Sequence, residues 1–421
     1  MSPVRPRIGV VGRGLEPEHH RLRDFFTRTA QPYEFLELGS PEAAALLGHH
    51  GLVARDLPVV IDGDAVYRNA TVELLAEAWN LATPPSRTHY DLAVVGAGPA
   101  GLAAAVYAAS DGLSTVVIEV DVPGGQASHT ALIENFFGFP DGIGGAELAR
   151  RAGRQAERFG AELVLLRGVV GSTPIPAGAP SLLLDGGYEV TADAVIAANG
   201  MEWRRLDVEG VAELLGRGVY YGAGRSEAAR FGGDHAVVIG AGNSAGQAVL
   251  DLAGAGARVT LIVRGDQLGT KMSAYLVERL EQSPLVDVRL HTNVTAVEAD
   301  DDQFRAVTIS DGAGKNEQLR ARALFLCIGG TPRTGWADGA GVRVNAAGFV
   351  VTGSSLLDNG RRPEGWPLDR DPLVLETTVP GLFAAGDLRS GSTKRVAGAV
   401  GEGAMAAALV HRRLEELAAT G

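Results

Sequence analysis

The stretch DLAVVGAGPAGL, from Asp91 to Leu102, decides the fold of this 421-residue chain. Its first five residues predict a strand, and the alanine-rich run from Ala100 to Gly112 predicts a helix. A second strand, predicted from Thr115 to Glu119, completes a βαβ unit. The turn between strand and helix has the G-x-G-x-x-G spacing of a dinucleotide-binding fingerprint. It reads Gly96-Ala97-Gly98-Pro99-Ala100-Gly101.

Each glycine of this turn has a physical role in a nucleotide site. Gly96 allows the tight turn, Gly98 lets the backbone approach a pyrophosphate, and Gly101 permits close packing of helix on strand. The amides at the start of the helix then face the anion. Glu119 ends the second strand, where a carboxylate can accept hydrogen bonds from both hydroxyls of a ribose.

A second copy of the unit follows, with strands predicted at His235 to Ile239 and at Arg258 to Val263. Its second strand ends at Arg264 rather than at an acid, so no carboxylate is placed to prefer the free 2′-hydroxyl of NAD. Arg264 either meets the 2′-phosphate of NADP or lies on a solvated loop. We therefore expect a nicotinamide site for NADPH, with NADH still open. The turn of this copy reads Gly240-Ala241-Gly242-Asn243-Ser244-Ala245.

The two copies predict an α/β protein with two Rossmann-like dinucleotide-binding domains. The segment in front of them, residues 1–86, resembles a thioredoxin or glutaredoxin fold. Its pattern is a strand from Arg7 to Gly12, a helix from Glu18 to Thr29, a strand from Pro58 to Asp62 and a helix from Thr71 to Leu81. Pro58 stands where that family keeps a cis-proline. The loop after the first strand, where that family has its C-x-x-C, contains no sulfur.

Short segments outside the two glycine turns point to one family. They are Gly124-Gly125-Gln126, Ile133-Glu134-Asn135, Ala198-Asn199-Gly200, Ala384-Ala385-Gly386-Asp387 and Lys394-Arg395-Val396. With these segments, the chain from about Tyr90 to its end resembles the low-molecular-weight thioredoxin reductases. The resemblance implies that residues 88–204 and 331–421 hold FAD, that residues 205–330 are an inserted NAD(P)H domain, and that the protein is a homodimer. The implied flavin contacts are Gly125, Gln126, Asn135, Gly200, Gly386, Asp387, Arg395 and Val396.

The chain departs from this family in its thiols, because Cys327 is its only cysteine. The family has Y-C-A-T-C before its second dinucleotide strand, whereas this chain has Tyr221-Gly222-Ala223-Gly224-Arg225. A dithiol relay needs one thiol to attack and one to resolve, so this chain cannot run that relay by itself. Cys327 lies in an apolar strand and is expected in the core. Arg225 either faces the flavin or an anionic substrate, or lies on a surface loop.

Composition narrows the remaining possibilities. A formal net charge of −12 argues against a nucleic-acid partner, and no apolar run approaches the roughly 18 residues of a membrane span. We also expect a cytoplasmic protein. A metal site is not expected, because the histidine pairs lack companion ligands.

His129 lies between two flavin-contacting segments and could tune the flavin, but the sequence shows no catalytic partner for it.

The sequence thus predicts an FAD-dependent NAD(P)H oxidoreductase, in which hydride passes from the nicotinamide to the flavin. The acceptor that follows is open: oxygen, a small molecule or a partner protein. Three alternatives stand beside this prediction. They are a flavin oxidase driven by its own substrate, a reductase of a disulfide on a partner protein, and a regulatory module that senses the cofactor without turnover.

Overall fold

The computed structural model describes residues 8–175, 179–222, 225–270 and 272–420. The chain forms two compact units, and each contains one of the two βαβ units. The first unit combines the chain up to Ala78 with residues 129–132 and 203–329, and the second combines residues 79–128, 133–202 and 330–421. The predicted α/β class with two dinucleotide folds behind a small thioredoxin-like fold is confirmed. The exact domain boundaries stay predictions.

The first unit begins with a four-stranded sheet in the order β2-β1-β3-β4, flanked by helices. Strand β1 pairs in parallel with β2 and antiparallel with β3, which is the topology of a thioredoxin-like fold. The peptide bond between Leu57 and Pro58 is cis. The elements are β1 (Ile8–Gly12), α1 (Pro17–Arg28), β2 (Tyr33–Glu37), α2 (Pro41–His49), a 3₁₀ turn (Ala54–Asp56), β3 (Val59–Asp62), β4 (Ala65–Tyr67) and α3 (Val72–Ala78).

Helix α3 ends earlier than the sequence predicts, at Ala78 rather than Leu81. Asn80 has a φ of 54°, a left-handed conformation that interrupts a right-handed helix. The predicted start of the first strand, Arg7, lies outside the described residues.

The rest of the first unit is a five-stranded parallel sheet in the order β12-β19-β13-β14-β15, with a three-stranded antiparallel sheet beside it. Strand β13 lies at the centre and pairs with both β14 and β19. The elements are β12 (Val219–Tyr221), α6 (Arg225–Arg230), β13 (His235–Ile239), α7 (Asn243–Gly254), β14 (Arg258–Ile262), α8 (Ala274–Gln282), β15 (Val286–Arg289), β16 (Asn293–Asp300), β17 (Gln303–Ser310), β18 (Asn316–Arg320) and β19 (Ala323–Leu326).

The second unit has a sheet in the order β7-β6-β5-β10-β9-β8, with β21 pairing on β10. Helix α9 packs closely on α4, because Gly403 brings its backbone against the carbonyl of Ala100. The elements are β5 (His89–Val95), α4 (Pro99–Ser110), β6 (Thr115–Glu119), a 3₁₀ turn (Gly125–His129), α5 (Gly145–Arg158), β7 (Glu162–Leu165), β8 (Val169–Thr173), β9 (Ser181–Leu184), a 3₁₀ turn (Asp185–Gly187), β10 (Glu189–Ala197), β11 (Met201–Trp203), β20 (Gly330–Pro332), 3₁₀ turns (Gly335–Ala340 and Gly353–Leu356), β21 (Leu382–Ala384) and α9 (Val396–Thr420).

Within these described ranges, no helix combines the length and the apolar character needed to cross a membrane.

Candidate functional site

The first glycine turn, in the second unit, is closed against side chains at two positions. Gly96 has a φ of +105°, and a Cβ atom there would lie 2.5 Å from the Cα atom of Asn199. A Cβ atom at Gly101 would overlap the carbonyl oxygen of Gly96. Gly98 is the N-cap of α4 and supplies no side-chain cap, and Pro99 follows it at the first helical position. The backbone amides that open the helix are therefore presented to an anion.

Glu119 lies at the end of β6 with its carboxylate turned toward the glycine turn. The backbone N–H of Ala97 donates to its Oε2 atom at 2.6 Å, and the N–H of Asp121 donates to its Oε1 atom at 3.0 Å. Each carboxylate oxygen has a second lone pair. The position predicted for a ribose contact therefore also holds the turn in shape.

The Gly124-Gly125-Gln126 segment lies beside the same turn. Gly124 donates its N–H to the carbonyl of Ala97 at 2.7 Å, and a Cβ atom at Gly125 would lie 3.4 Å from the Cα atom of Gly98. The amide of Gln126 donates to the carbonyl of Met201 at 2.9 Å. The segment thus borders the space in front of α4.

The Gly386-Asp387 pair reaches the start of α4 from the other end of the chain. A Cβ atom at Gly386 would lie 3.0 Å from the Cβ atom of Ala100, and its N–H donates to Glu402 at 2.7 Å. Burial raises the pKa of Asp387, and the Lys394 ammonium offsets part of this rise. Lys394 also donates to the backbone carbonyl of Asp387. A carboxyl group beside the helix N-terminus is thus held in a partly buried position.

The other predicted flavin contacts are less tightly grouped. Asn135 and Arg395 are exposed, and Val396 begins α9. Gly200 has a φ of +61°, and its carbonyl accepts from the N–H of Arg333 at 3.2 Å. The roles of Asn135 and Arg395 in flavin binding stay predictions.

The residues present fit FAD. Besides the uncapped amides of α4, the Oδ1 atom of Asn199 is buried and has no hydrogen-bond partner in the described chain. The amide nitrogen of the same side chain donates to the carbonyl of Arg333, which fixes which atom is left over. A buried acceptor without a donor is costly, so a ligand that donates a hydrogen bond is expected beside it.

The second glycine turn, in the first unit, repeats this construction. A Cβ atom at Gly240 would overlap the carbonyl of Cys327, and Gly242 is the N-cap of α7 without a side-chain cap. Ala245 is completely buried, and Ser244 is exposed. The Oδ1 atom of Asn243 accepts from the N–H of Ser273 at 2.8 Å, so this side chain fastens the segment before α8. The turn fits a second dinucleotide.

Arg264 follows β14 and is exposed. Strand β14 ends at Ile262, one residue before the predicted end. Because Arg264 follows the second strand of the unit, it occupies the position from which a side chain reaches the adenosine ribose. Its contact with a 2′-phosphate stays a prediction.

Cys327 is buried at the end of β19, as expected for a core residue. Burial raises the pKa of its thiol to about 12, against a smaller lowering by the N–H of Gly222. Since the thiolate is the reactive form of cysteine, this thiol is inert at neutral pH.

The segment expected in place of the family dithiol begins at Tyr221, the last residue of β12, and continues with Gly222. Residues 223 and 224 lie outside the described residues, as does the side chain of Arg225. The predicted alternatives for Arg225 therefore stay open. The backbone of α6 follows, and its residues Glu227 and Arg230 both contact the thioredoxin-like fold.

Glu227 is the centre of a buried charge cluster. Its carboxylate accepts from Arg23 at 3.3 Å, lies 3.2 Å from the Nδ1 atom of His20, and accepts from Arg230 at 3.2 Å. Burial raises its pKa, but the His20 hydrogen bond and the nearby arginines outweigh that effect and lower it to about 2. Arg23 and Arg230 also donate to the carbonyl of Gly14, in the loop where a thioredoxin would have its C-x-x-C.

His129 has a partner that sequence reasoning did not find. Its Nδ1 atom lies 3.3 Å from the Oδ1 atom of Asp24, which belongs to α1 of the thioredoxin-like fold. Burial raises the pKa of Asp24, but the hydrogen bond and charge of His129, with Arg28, outweigh it and lower the pKa well below its usual range. The ring of His129 also meets Trp203 edge to face at 5.9 Å. The sequence carried no signal for this pair because its members come from different folds.

Two glycine turns that each fit a dinucleotide define an oxidoreductase built on two nucleotide cofactors. The chain belongs to the pyridine nucleotide-disulphide oxidoreductase family, whose family model matches residues 90–403. It is an FAD- and NAD(P)-dependent oxidoreductase of thioredoxin reductase architecture, and FAD and NADPH are the cofactors of that family.

Two thioredoxin reductases show the degree of similarity. That of Bacillus subtilis is 33% identical over 334 residues, which cover 79% of this chain and 96% of the relative. The thioredoxin reductase of Treponema pallidum is 34% identical over 321 residues, which cover 76% of this chain and 95% of the relative. The crystal structure of T. acidophilum thioredoxin reductase matches with a TM-score of 0.68 at 27% identity, and covers 77% of this chain and 99% of that one.

Proposed function

We propose that this protein passes reducing equivalents from NADPH through FAD to an acceptor outside its own sequence. The acceptor is a small molecule, oxygen or a partner protein rather than an internal disulfide. One observation carries the proposal. Both glycine turns have the geometry of a nucleotide site, whereas Gly222 lies in the segment expected to hold the dithiol and the single cysteine of the chain is buried.

When bound, FAD would supply the two-electron redox chemistry between NADPH and the acceptor. The residues of the chain bind and orient the cofactors. The first amides of α4 would bind the pyrophosphate, and the carboxyl of Asp387 would hydrogen-bond hydroxyl groups of the flavin side chain. Arg264 would pair with the 2′-phosphate of NADPH, and its positive charge would therefore favour NADPH over NADH.

The test is to mix the purified yellow protein anaerobically with NADPH or with NADH and to follow flavin absorbance. We expect fast bleaching with NADPH and slower bleaching with NADH. Admitting air then measures how fast oxygen reoxidises the flavin. A protein that bleaches with neither nucleotide would contradict the proposal and would favour a substrate-driven oxidase or a cofactor sensor.

A disulfide on a partner protein is a second candidate acceptor, and the relatives favour it because they are named thioredoxin reductases. Oxidised thioredoxin added to the NADPH-reduced protein tests it. If thioredoxin does not speed recolouring of the flavin, this candidate fails. The homodimer, which light scattering can measure, and the cytoplasmic location stay predictions.

A further inference from the structure

A cavity of about 320 Å³ lies within the first unit, between α1 of the thioredoxin-like fold and the start of α6. This volume is at the lower end of the range for small-molecule sites. Its walls include Tyr221 and Gly222, the two described residues of the segment that replaces the family dithiol. The cavity therefore lies beside the segment where the resemblance to thioredoxin reductases would place a dithiol. The other lining residues that bear on the choice of ligand are His20, Asp24, His129, Trp203, Tyr220 and Glu227.

One wall of the cavity is flat and aromatic. The rings of Trp203 and Tyr221 are nearly parallel, with an angle of 12° and centroids 6.4 Å apart. A Cβ atom at Gly222 would lie 3.8 Å from the Trp203 ring, so the glycine leaves the edge of that ring uncovered. Such a wall favours a planar ligand, because aromatic faces stack on one another.

The carboxylates in the cavity are already neutralised. Asp24 pairs with His129 and with Arg28, and Glu227 pairs with His20, Arg23 and Arg230. A cationic ligand would therefore find no free carboxylate among the described residues that line the cavity. This argues for a neutral ligand.

Hydrogen-bond donors, in contrast, are available. The hydroxyl of Tyr220 is buried and has no partner in the described chain, and burial with the Glu227 charge raises its pKa to about 12, so it stays a donor. The Nδ1 atom of His129 is held by Asp24, which leaves the Nε2 atom for another contact. A ligand with acceptor oxygens would satisfy these donors.

We propose that this cavity binds a small planar carbonyl compound of the quinone type, and that His129 donates a proton to its oxygen as the quinone is reduced. Asp24 is the positioning residue, because its carboxylate lies 3.3 Å from the Nδ1 atom of His129 and so orients the imidazole. The redox part of this inference rests on the proposed function, since NADPH is the reductant.

The reaction balances with one proton from the protein. The C4–H bond of NADPH breaks, and its hydrogen and two electrons reach the quinone by way of the cofactors. His129 supplies the second proton, so both carbonyl oxygens of the quinone become hydroxyl groups. The imidazole then takes a proton from water. NADPH is oxidised and the quinone is reduced to the hydroquinone.

The probe is duroquinone, whose four methyl groups prevent it from alkylating side chains. Calorimetry on the oxidised holoenzyme without NADPH measures binding alone. We expect one site per chain and about tenfold weaker binding in Trp203→Leu, provided that the variant keeps its flavin content. If duroquinone does not bind, or if it binds equally well to Trp203→Leu, the site is wrong.

Turnover then tests the proton donor. We expect His129→Gln to lower kcat for duroquinone by about 10²-fold, and the rate of flavin bleaching by NADPH in the same variant tells whether the loss lies in the quinone step. Asp24→Asn should lower kcat for duroquinone more than it raises KM, because the amide no longer holds the imidazole as the carboxylate does.

A matched control is the surface pair His411 and Asp111, whose Nε2 and Oδ2 atoms are 3.2 Å apart. His411→Gln and Asp111→Asn should leave duroquinone binding, kcat and KM unchanged. Normal bleaching by NADPH with full quinone turnover in His129→Gln would overturn this inference and leave the proposed function standing. Absence of bleaching in the unchanged protein would instead contradict the proposed function.

Discussion

The Nε atom of Arg23 lies 3.3 Å from the Oε1 atom of Glu227, and the two side chains are only 1% and 6% exposed. Arg23 belongs to α1 and Glu227 to α6, so a buried ion pair joins the thioredoxin-like fold to the dinucleotide fold. Two charges removed from water are tolerated only when each has its partner. The N-terminal fold is thus joined to α6 of the dinucleotide fold by a buried ion pair.

We expect Glu227→Gln to destabilise the protein strongly, by about 3–5 kcal/mol, because it leaves Arg23 buried without its counter-charge. Urea unfolding at neutral pH, followed by circular dichroism, measures the change. Glu147 is the control, since arginines lower its pKa to about 2 as well, but its side chain is 32% exposed on α5. Glu147→Gln should cost less than about 1 kcal/mol. Equal losses in the two variants would contradict the buried pair.

The lowered pKa of Glu227 predicts that the protein loses folding stability in acid. The pKa of Glu227 is lowered from 4.5 to about 2 on folding, so its stabilisation is fully present above pH 4.5. It is lost as the pH falls from 4.5 toward 2. The stability difference between the unchanged protein and Glu227→Gln should therefore shrink over that range. A difference that is constant with pH would count against the assignment.

Gly101→Ala should weaken FAD binding by about 5- to 150-fold, because its Cβ atom would overlap the carbonyl of Gly96 and strain of this kind costs about 1–3 kcal/mol. The flavin content of the purified variant measures the effect. Gly401→Ala in α9 is the control, since a Cβ atom there meets nothing within 4 Å. Alanine should leave flavin binding intact and stabilise the helix slightly.

Arg264→Ala should reduce kcat/KM for NADPH by about tenfold and leave that for NADH unchanged, because only NADPH carries the 2′-phosphate. Steady-state rates at low ionic strength measure the ratio, and added salt should reduce the effect at this exposed site. Arg258→Ala, at the other end of β14, is the control. An equal fall in kcat/KM for both nucleotides would show that Arg264 does not distinguish NADPH from NADH.

Cys327 should have no part in catalysis. With a pKa raised to about 12, the thiol should fail to react with Ellman's reagent in the folded protein and should react fully in denaturant. Cys327→Ala should keep the rate of flavin bleaching and cost about 1 kcal/mol of stability. Loss of bleaching in this variant, with flavin still bound, would contradict a purely structural thiol.

Much of the fold could be predicted because its signals are local. The glycine turns at Gly96 and Gly240 stand between apolar strands and helices, so periodicity and turn chemistry were enough to locate both βαβ units. The predicted end of α3 was wrong because the apolar pattern does not specify the left-handed conformation of Asn80. The contacts of Asn135 and Arg395 could not be derived, because they depend on a ligand.

The sequence by itself determined the two dinucleotide folds, the thioredoxin-like fold in front of them and the absence of a second thiol. These follow from residue types at short spacing, where the backbone conformation and the chemistry are set by neighbours along the chain. Only the tertiary structure decided that Asp24 meets His129 and that Arg23 meets Glu227. Such pairs join segments far apart in sequence, and their partners are chosen by how folded surfaces pack and exclude water. No local pattern encodes that choice.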